Sequence, residues 1–246
     1  METSMPRVAV LVSATQEWWA VRERVGSDAV GASPRSGTSP RSGASPYGEW
    51  FFADVEGWGA PVLFFHGGWG KIAAAASTQY VIDRWQPQLV INLGTCGGFE
   101  GAIARDTVVL AECTLVYDIV EQMGDPAAAL AHYATELDLT WLRPPDPMPV
   151  YRGLLISGDR DLVAEEIDDL RARFGAVAGD WESGAIAYVA ARNGVRCLIL
   201  RGVTDLVGPG GGEAYDGTVT FFAERAAHVM ARLVDSLPAW LACVDV

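Results

Sequence analysis

Two short apolar runs, Leu89-Val90-Ile91-Asn92-Leu93 and Cys197-Leu198-Ile199-Leu200-Arg201-Gly202-Val203, constrain the architecture more than any other feature of the chain. Neither shows the alternation of a strand with one wet face, and neither is long enough for an ordinary helix. Such runs fit strands buried on both faces, which need helices above and below them. The flanking segments supply those layers. Val8–Val12 predicts a first strand and Glu17–Val25 a short helix. Trp50–Val55 and Pro61–Phe65 predict two strands joined by the turn Glu56-Gly57-Trp58-Gly59. Lys71–Trp85 predicts a helix whose small Ala73–Ala76 face packs closely. Strands follow at Thr107–Leu115 and Gly153–Ser157, and helices at Leu162–Phe174 and Ser183–Arg192, the second closed by Gly194. A long amphipathic helix is expected over Val219–Leu237, stopped by Pro238. The pattern predicts an α/β fold, one domain over residues 1–246 with a central mixed, twisted β-sheet flanked by helices.

One segment departs from this order. Residues 31–46 repeat a Ser-Pro-Arg-Ser-Gly unit, which has nothing apolar to bury and cannot offset the entropy of ordering. A low-complexity surface loop over residues 28–47 is expected; a basic docking tag for a partner is the alternative.

Composition removes several function classes. The formal charge is −13, from 31 acidic and 18 basic residues, which argues against a nucleic-acid partner. Cys96, Cys113, Cys197 and Cys243 are far apart, and the first three lie in or beside apolar strands, so buried free thiols are expected. With His66, His132 and His228 and no HxxxH or CxxC pattern, no metal is expected, and no cofactor is implied. Arg7 and the strand behind it lack a signal-peptide pattern, and no apolar run approaches the roughly 18–20 residues of a membrane span. A soluble cytoplasmic protein with no membrane partner is expected.

The candidate chemistry sits at two places. Gly179-Asp180-Trp181-Glu182-Ser183-Gly184 leads into a helix, and Arg201-Gly202-Val203-Thr204-Asp205 ends an apolar strand. Two carboxylates then lie near one sheet edge, where α/β proteins usually keep their chemistry. Together with Glu17 and the loop Gly94-Thr95-Cys96-Gly97-Gly98, they suggest a nucleoside-cleaving enzyme. Breaking an N-glycosidic bond to a purine needs a proton donor for the base, a grip on the sugar hydroxyls and an attacking water or phosphate. Two or three acidic residues can meet those needs without a metal. Each residue also has a plainer explanation. Asp205 could be a turn or N-cap aspartate before the glycine-rich Gly208–Gly212. Glu182 could serve only the helix dipole, and Glu17 could be a solvated helix residue beside Trp18-Trp19. The glycine loop could let backbone N–H groups approach a ligand, but it is not a GxGxxG fingerprint, and Gly67–Lys71 lacks P-loop spacing.

The order of the blocks is more specific than any one of them. Val8–Glu17, Gly67–Ala75, Leu89–Gly98, Gly153–Asp159, Asp180–Ala187 and Arg201–Asp205 together resemble the nucleoside phosphorylase/nucleosidase superfamily. Within it they look most like 5′-methylthioadenosine/S-adenosylhomocysteine nucleosidases. The resemblance implies that Asp205 is the catalytic acid donating toward purine N7, that Glu182 holds the ribose 2′ and 3′ hydroxyls, and that Glu17 positions and deprotonates the attacking water. Arg201, Thr95 and Gly97 match residues lining the water and ribose side. Trp181 stands where these nucleosidases usually carry a methionine beneath the sugar, which narrows the pocket. Asn92 stands where phosphorylases carry a phosphate-binding arginine, and Glu17 would repel phosphate, so hydrolysis is favoured over phosphorolysis. Asp161 and Leu162 follow Ser157-Gly158-Asp159, where an aromatic side chain usually stacks on adenine. A carboxylate there suggests a changed base, such as a 6-oxopurine or a modified nucleoside such as futalosine, unless Asp161 faces solvent. Tyr215 would close the 5′ side. The resemblance also implies a homodimer, with Tyr117 and Trp141 compatible either with an interface or with core packing. A storage or binding member without turnover is the remaining alternative; the joint presence of Glu17, Glu182 and Asp205 argues against it.

Overall fold

The structure, a computed structural model, describes residues 6–26, 41–213 and 219–244, with the backbone only of 219–222. In chain order it comprises β1 (Val8–Val12), α1 (Thr15–Val25), β2 (Ser42–Ala44), β3 (Glu49–Ala53), β4 (Val62–His66), α2 (Gly70–Trp85) and β5 (Leu89–Phe99). There follow β6 (Val108–Val116), α3 (Pro126–His132), β7 (Ala134–Glu136), β8 (Tyr151–Ser157), α4 (Ile167–Phe174), β9 (Ala178–Asp180), α5 (Ser183–Arg192), β10 (Arg196–Gly208), β11 (Gly211–Gly212) and α6 (Val219–Ala242).

The two apolar runs form the centre of one mixed sheet. β5 pairs in parallel with β10 along its length and with β1 over its first half. Past Asn92 its other edge passes from β1 to the antiparallel β9, at Gly97 and Gly98. Because β10 also pairs with β6, β6 with β8, and β8 with β9, these five strands close on one another. Alternate side chains serve opposite layers, as the strand period requires. Val10, Ile91, Leu93, Leu198 and Leu200 pack with Trp18 of α1 and Leu233 and Trp240 of α6. Leu11, Val90 and Ile199 pack with Ala74 and Val81 of α2 and Ala187 and Ala190 of α5. Tyr117 and Trp141 are both buried in core clusters, which decides for their packing role.

Several expected boundaries are corrected. Gly94–Gly98 is not a loop: β5 continues as strand to Phe99. The glycines serve close packing, since a Cβ on Gly98 would stand 2.7 Å from Val203 Cγ1. Asp205 likewise lies inside β10, just past a register shift between Val203 and Asp205. A bulge of this kind re-aims a side chain without ending the strand. Leu162 is not helical. The chain stays extended through Val163 (φ −111°, ψ 143°), seating the buried Leu162, before a 3₁₀ turn at Ala164–Glu166 leads into α4.

Pro238 does not stop α6, which runs on to Ala242. A proline inside a helix costs about 3 kcal/mol. Trp240 and Leu241, at 0% and 2% exposure, together offset it, since burying each large apolar side chain contributes roughly 1.5–3 kcal/mol. Within the expected surface loop, Ser42–Ala44 is an edge strand against β3. Its side chains stay exposed, and Gly43 lies flat on Trp50, where a Cβ would meet the indole at 2.7 Å. The repeat residues up to Pro40 fall outside the described residues, as does Tyr215, while Arg41 pairs with Asp54 at 3.3 Å.

Candidate active site

The cleft opens where the C-terminal halves of β5 and β10 meet the starts of α2 and α5, with a volume of about 240 Å³. Glu17, Thr95, Gly97, Asp161, Leu162, Trp181, Glu182, Arg201 and Asp205 all line it. The sequence did not single out Trp69, Arg160, Asp180 or Thr204, which line it too.

Arg201 organises its floor. The residue is 1% exposed, and its guanidinium faces three carboxylates: Asp180 at 2.9 Å, Glu182 at 3.4 Å and Glu17 at 4.0 Å. It also donates to Ser183 Oγ (2.9 Å), to Asn92 Oδ1 (2.8 Å) and to the Thr95 carbonyl (3.2 Å). Burial alone would lower its proton affinity, but the carboxylates of Asp180, Glu182 and Glu17 reverse that and raise it. Space for the guanidinium comes from Gly94, opposite Arg201 in the β5–β10 register. Asn92 is fully buried and does not line the cleft; it works one layer back, donating to the Leu11 carbonyl and accepting from Arg201.

The three predicted carboxylates have distinct surroundings. Glu17 follows β1 on the first turn of α1 and is 2% exposed, so the solvated-helix alternative falls. Its Oε1 accepts from the amide (2.7 Å) and hydroxyl (2.8 Å) of Thr95, and its Oε2 from the Ala14 amide at 3.2 Å. Glu182 stands at the N-cap of α5 but makes no capping bond there. Asp180 takes that work, accepting from the amide and hydroxyl of Ser183 and from Ser157 Oγ. The Asp180-to-Ser183 spacing was the signal that could have separated these two acids. Glu182 instead accepts from the Gly70 amide at 3.1 Å, at the start of α2. Burial pushes its carboxyl up to about 7, against the opposing pull of Arg201 and helped by the charges of Asp180 and Glu17.

Asp205 is 8% exposed, and burial raises its proton affinity. The Thr204 hydroxyl, 2.7 Å from Oδ1, opposes that rise, while the charges of Glu213 and Asp161 add to it. A carboxyl held toward its neutral form in a cleft is suited to giving up a proton. Leu162 is buried beside it: a Cβ on Gly97 would stand 3.1 Å from Leu162 Cδ1 and 3.8 Å from Asp205 Oδ2. Asp161 is exposed at the rim, and the neighbouring Arg160 is paired with Glu166 at 2.7 Å. At the mouth the indole of Trp181 stacks on that of Trp69, with centroids 5.1 Å apart and planes within 14°. Cys96 also lines the cleft, but burial pushes its thiol well above the ordinary range. Among the described residues, no group of three or more His, Cys, Asp or Glu side chains could hold a metal ion, and no helix is long and apolar enough to cross a membrane.

A mixed α/β sheet with a carboxylate-rich cleft at the point where strand pairing switches defines a class of small-molecule site. The family profile of the Phosphorylase superfamily matches residues 40–238, and the chain belongs to that superfamily. Among curated relatives it is similar to the 5′-methylthioadenosine/S-adenosylhomocysteine nucleosidase of Geobacillus sp. (strain WCH70), 26% identical over 191 residues that cover 73% of this chain and 82% of the relative. The enzyme of the same name from Bacillus subtilis (strain 168) is 26% identical over 189 residues, covering 72% and 80%. Among solved structures, the nucleosidase of that name from S. pneumoniae with a transition-state inhibitor aligns with a TM-score of 0.72 at 20% identity, covering 97% of this chain and 99% of that one. The Helicobacter pylori nucleosidase aligns with a TM-score of 0.71 at 17% identity, covering 94% and 99%.

Proposed function

We propose that this protein is a purine nucleoside N-ribosyl hydrolase, releasing a free base by attack of water at the anomeric carbon. The observation that carries this reading is the convergence of Glu17, Glu182 and Asp205 in one cleft around the buried Arg201. The relatives named as 5′-methylthioadenosine/S-adenosylhomocysteine nucleosidases support the same chemistry.

In this mechanism Asp205 gives its proton to N7 of the purine as the bond from C1′ to N9 breaks, so the electron pair leaves with a neutral base. The ribosyl group takes on oxocarbenium character. Glu17, Asp180 and Glu182 outnumber the one guanidinium they face, so the cleft floor favours that positive charge. Glu182 accepts from the sugar hydroxyls. Glu17, oriented by Thr95, holds a water against C1′ and takes its proton as the C–O bond forms. Phosphate is disfavoured by the same surroundings: Arg201 is saturated by carboxylates, and Arg160 is paired with Glu166.

Asp161 is exposed at the rim, so a methylthioadenosine/S-adenosylhomocysteine-type substrate is the first reading. A carboxylate turned inward from the rim would accept from a ring N–H of a 6-oxopurine or of a nucleoside such as futalosine, an altered base preference that is the second. Base released from methylthioadenosine, inosine and futalosine, measured by chromatography, tests both levels. Release from any of them supports hydrolysis; brisk, selective cleavage of methylthioadenosine overturns the altered base preference. No release from the panel favours a binding protein.

We further read residues 1–246 as one nucleosidase-like domain that acts as a homodimer in the cytoplasm. Four free cysteines suit a reducing compartment. Trp69, Ile72, Val120 and Met123 are 68–98% exposed, and the Lys71–Asp118 ion pair ties their two segments together. Exposed apolar side chains held together in this way support an interface there. Light scattering that gave a monomer would remove the dimer.

A further inference from the structure

The start of α2 is held from outside by a cluster that the mechanism above does not use. Its N-cap residue, Trp69, offers no side-chain hydrogen bond, so the first amides of the helix look elsewhere for acceptors. The Gly70 amide donates to Glu182 Oε1 at 3.1 Å, and the next amide, that of Lys71, donates to Asp159 Oδ1 at 2.7 Å. Asp159 is braced in turn. Its own amide donates to Asp118 Oδ2 at 2.9 Å, while the Lys71 ammonium pairs with Asp118 and lies 4.0 Å from Asp159 Oδ2. Lys71 and Asp118 are largely shielded, with side chains 19% and 15% exposed, so solvent screens this pair less than a surface one. Gly70 sits at φ +83°, and a Cβ there would stand 3.1 Å from Asp159 Oδ1. The turn carrying the Gly70 amide is therefore seated directly on Asp159.

We propose that Asp159, braced by Lys71 and Asp118, is a positioning residue that sets Glu182 against the sugar through the Gly70 amide. The proposal rests on the reading of Glu182 as the ribose-binding carboxylate. The reasoning is one of balance at Glu182. Its partners are the Gly70 amide and the Arg201 guanidinium at 3.4 Å, and the other charges facing it are the carboxylates of Asp180 and Glu17, which repel it. Releasing the α2 turn removes the shorter of its two hydrogen bonds and leaves the repulsion. A displacement of about 1 Å in a group that grips substrate is enough for a hundredfold loss.

The test is the discrimination between ribo- and 2′-deoxyribonucleosides, because that ratio does not depend on how much protein is folded. Dissociation constants for adenosine against 2′-deoxyadenosine, and for inosine against 2′-deoxyinosine, are measured by calorimetry in the Asp205→Asn background, which blocks turnover, with the protein otherwise unchanged and with Asp159→Ala, Asp159→Asn, Glu182→Gln and the double variant Asp159→Ala/Glu182→Gln added. The expected result is a ribose preference that falls about tenfold or more in Asp159→Ala and is largely restored in Asp159→Asn, whose amide oxygen still accepts from Lys71. The losses from Asp159→Ala and Glu182→Gln should be clearly less than additive, as for two residues acting through one contact. An Asp159→Ala protein with a lower Tm but a ribose preference within twofold of wild type would overturn the proposal, as would strict additivity. A wild type that prefers ribose but releases no base would overturn the hydrolase reading alone, since the Asp159 comparison is made on binding. No ribose preference in the Asp205→Asn background would overturn the reading of Glu182 and this proposal with it, while base release by the wild type would still decide hydrolysis.

Discussion

Glu17 Oε1 accepts two hydrogen bonds from Thr95, one from its amide at 2.7 Å and one from its hydroxyl at 2.8 Å. Thr95 is part of β5, so the Glu17 carboxylate is fixed to a central, almost wholly buried strand of the sheet.

Glu17→Gln keeps the shape and one acceptor oxygen but cannot take a proton from water. We expect kcat to fall by about 10²–10⁴, the usual contribution of a general base, with KM changing much less. A large rise in KM with kcat intact would assign Glu17 to binding instead.

Asp205 must carry its proton to act as the acid. Burial raises its proton affinity in the free enzyme, so kcat/KM should be flat on the acid side of its titration and fall as pH rises through it. Asp205→Asn should lose about 10²–10⁴ in kcat and lose that alkaline limb as well. An unchanged pH profile in a still-active Asp205→Asn protein would move the acid elsewhere.

Glu182 carries a cost in stability. Its folded carboxyl sits at about 7 against an ordinary 4.5, so the folded chain keeps a proton that the unfolded chain has released. Stability from this group is therefore full below about pH 4.5 and is lost as pH rises toward and through 7. Glu182→Gln has no such loss, and Asp180 remains against Arg201. The variant should match wild type in Tm near pH 4.5 and exceed it by several degrees at pH 8, since a rise of this size corresponds to about 3 kcal/mol and each kcal/mol to roughly 2–4 °C for a chain of this size. A variant less stable than wild type at pH 8 would show that Glu182 is a net structural partner of Arg201.

Gly94 is required by Arg201. A Cβ at this position would stand 2.2 Å from Nη1 and 2.8 Å from Cζ, and the guanidinium is locked by Asp180, Ser183 and Asn92. Gly94→Ala should cost about 1–3 kcal/mol in denaturant unfolding, as overpacking does, and kcat/KM at least a hundredfold. A variant of unchanged stability would mean that Arg201 has room to shift.

The longer strands were legible in the sequence because both their faces are apolar and serve two helical layers, whereas the short β2, β7, β9 and β11 were not; apart from Asn92, one layer back, every predicted site residue within the described part of the chain lines the cleft. What local pattern hid was tertiary. The glycines of Gly94–Gly98 signal a loop, yet β10 pairs along the whole stretch and β9 joins at Gly97 and Gly98, and the absent side chains admit Arg201, Val203 and Leu162. Pro238 signals a helix end, and the burial of Trp240 and Leu241 overrides it. Asp180 was hidden by its neighbour: two acids two residues apart at a helix start look alike until Arg201 and Ser183 claim one and Gly70 the other. Trp69 lies far from Trp181 in sequence, and only folding stacks them.

The central claim is that water, and not phosphate, attacks a purine nucleoside in this cleft. The most direct measurement follows base and sugar products from methylthioadenosine, inosine and futalosine with the purified protein, in phosphate-free buffer and again with added phosphate. The account predicts free base and free reducing sugar at a rate that phosphate does not increase, and loss of both products in Asp205→Asn. A sugar 1-phosphate that appears only with phosphate would contradict it.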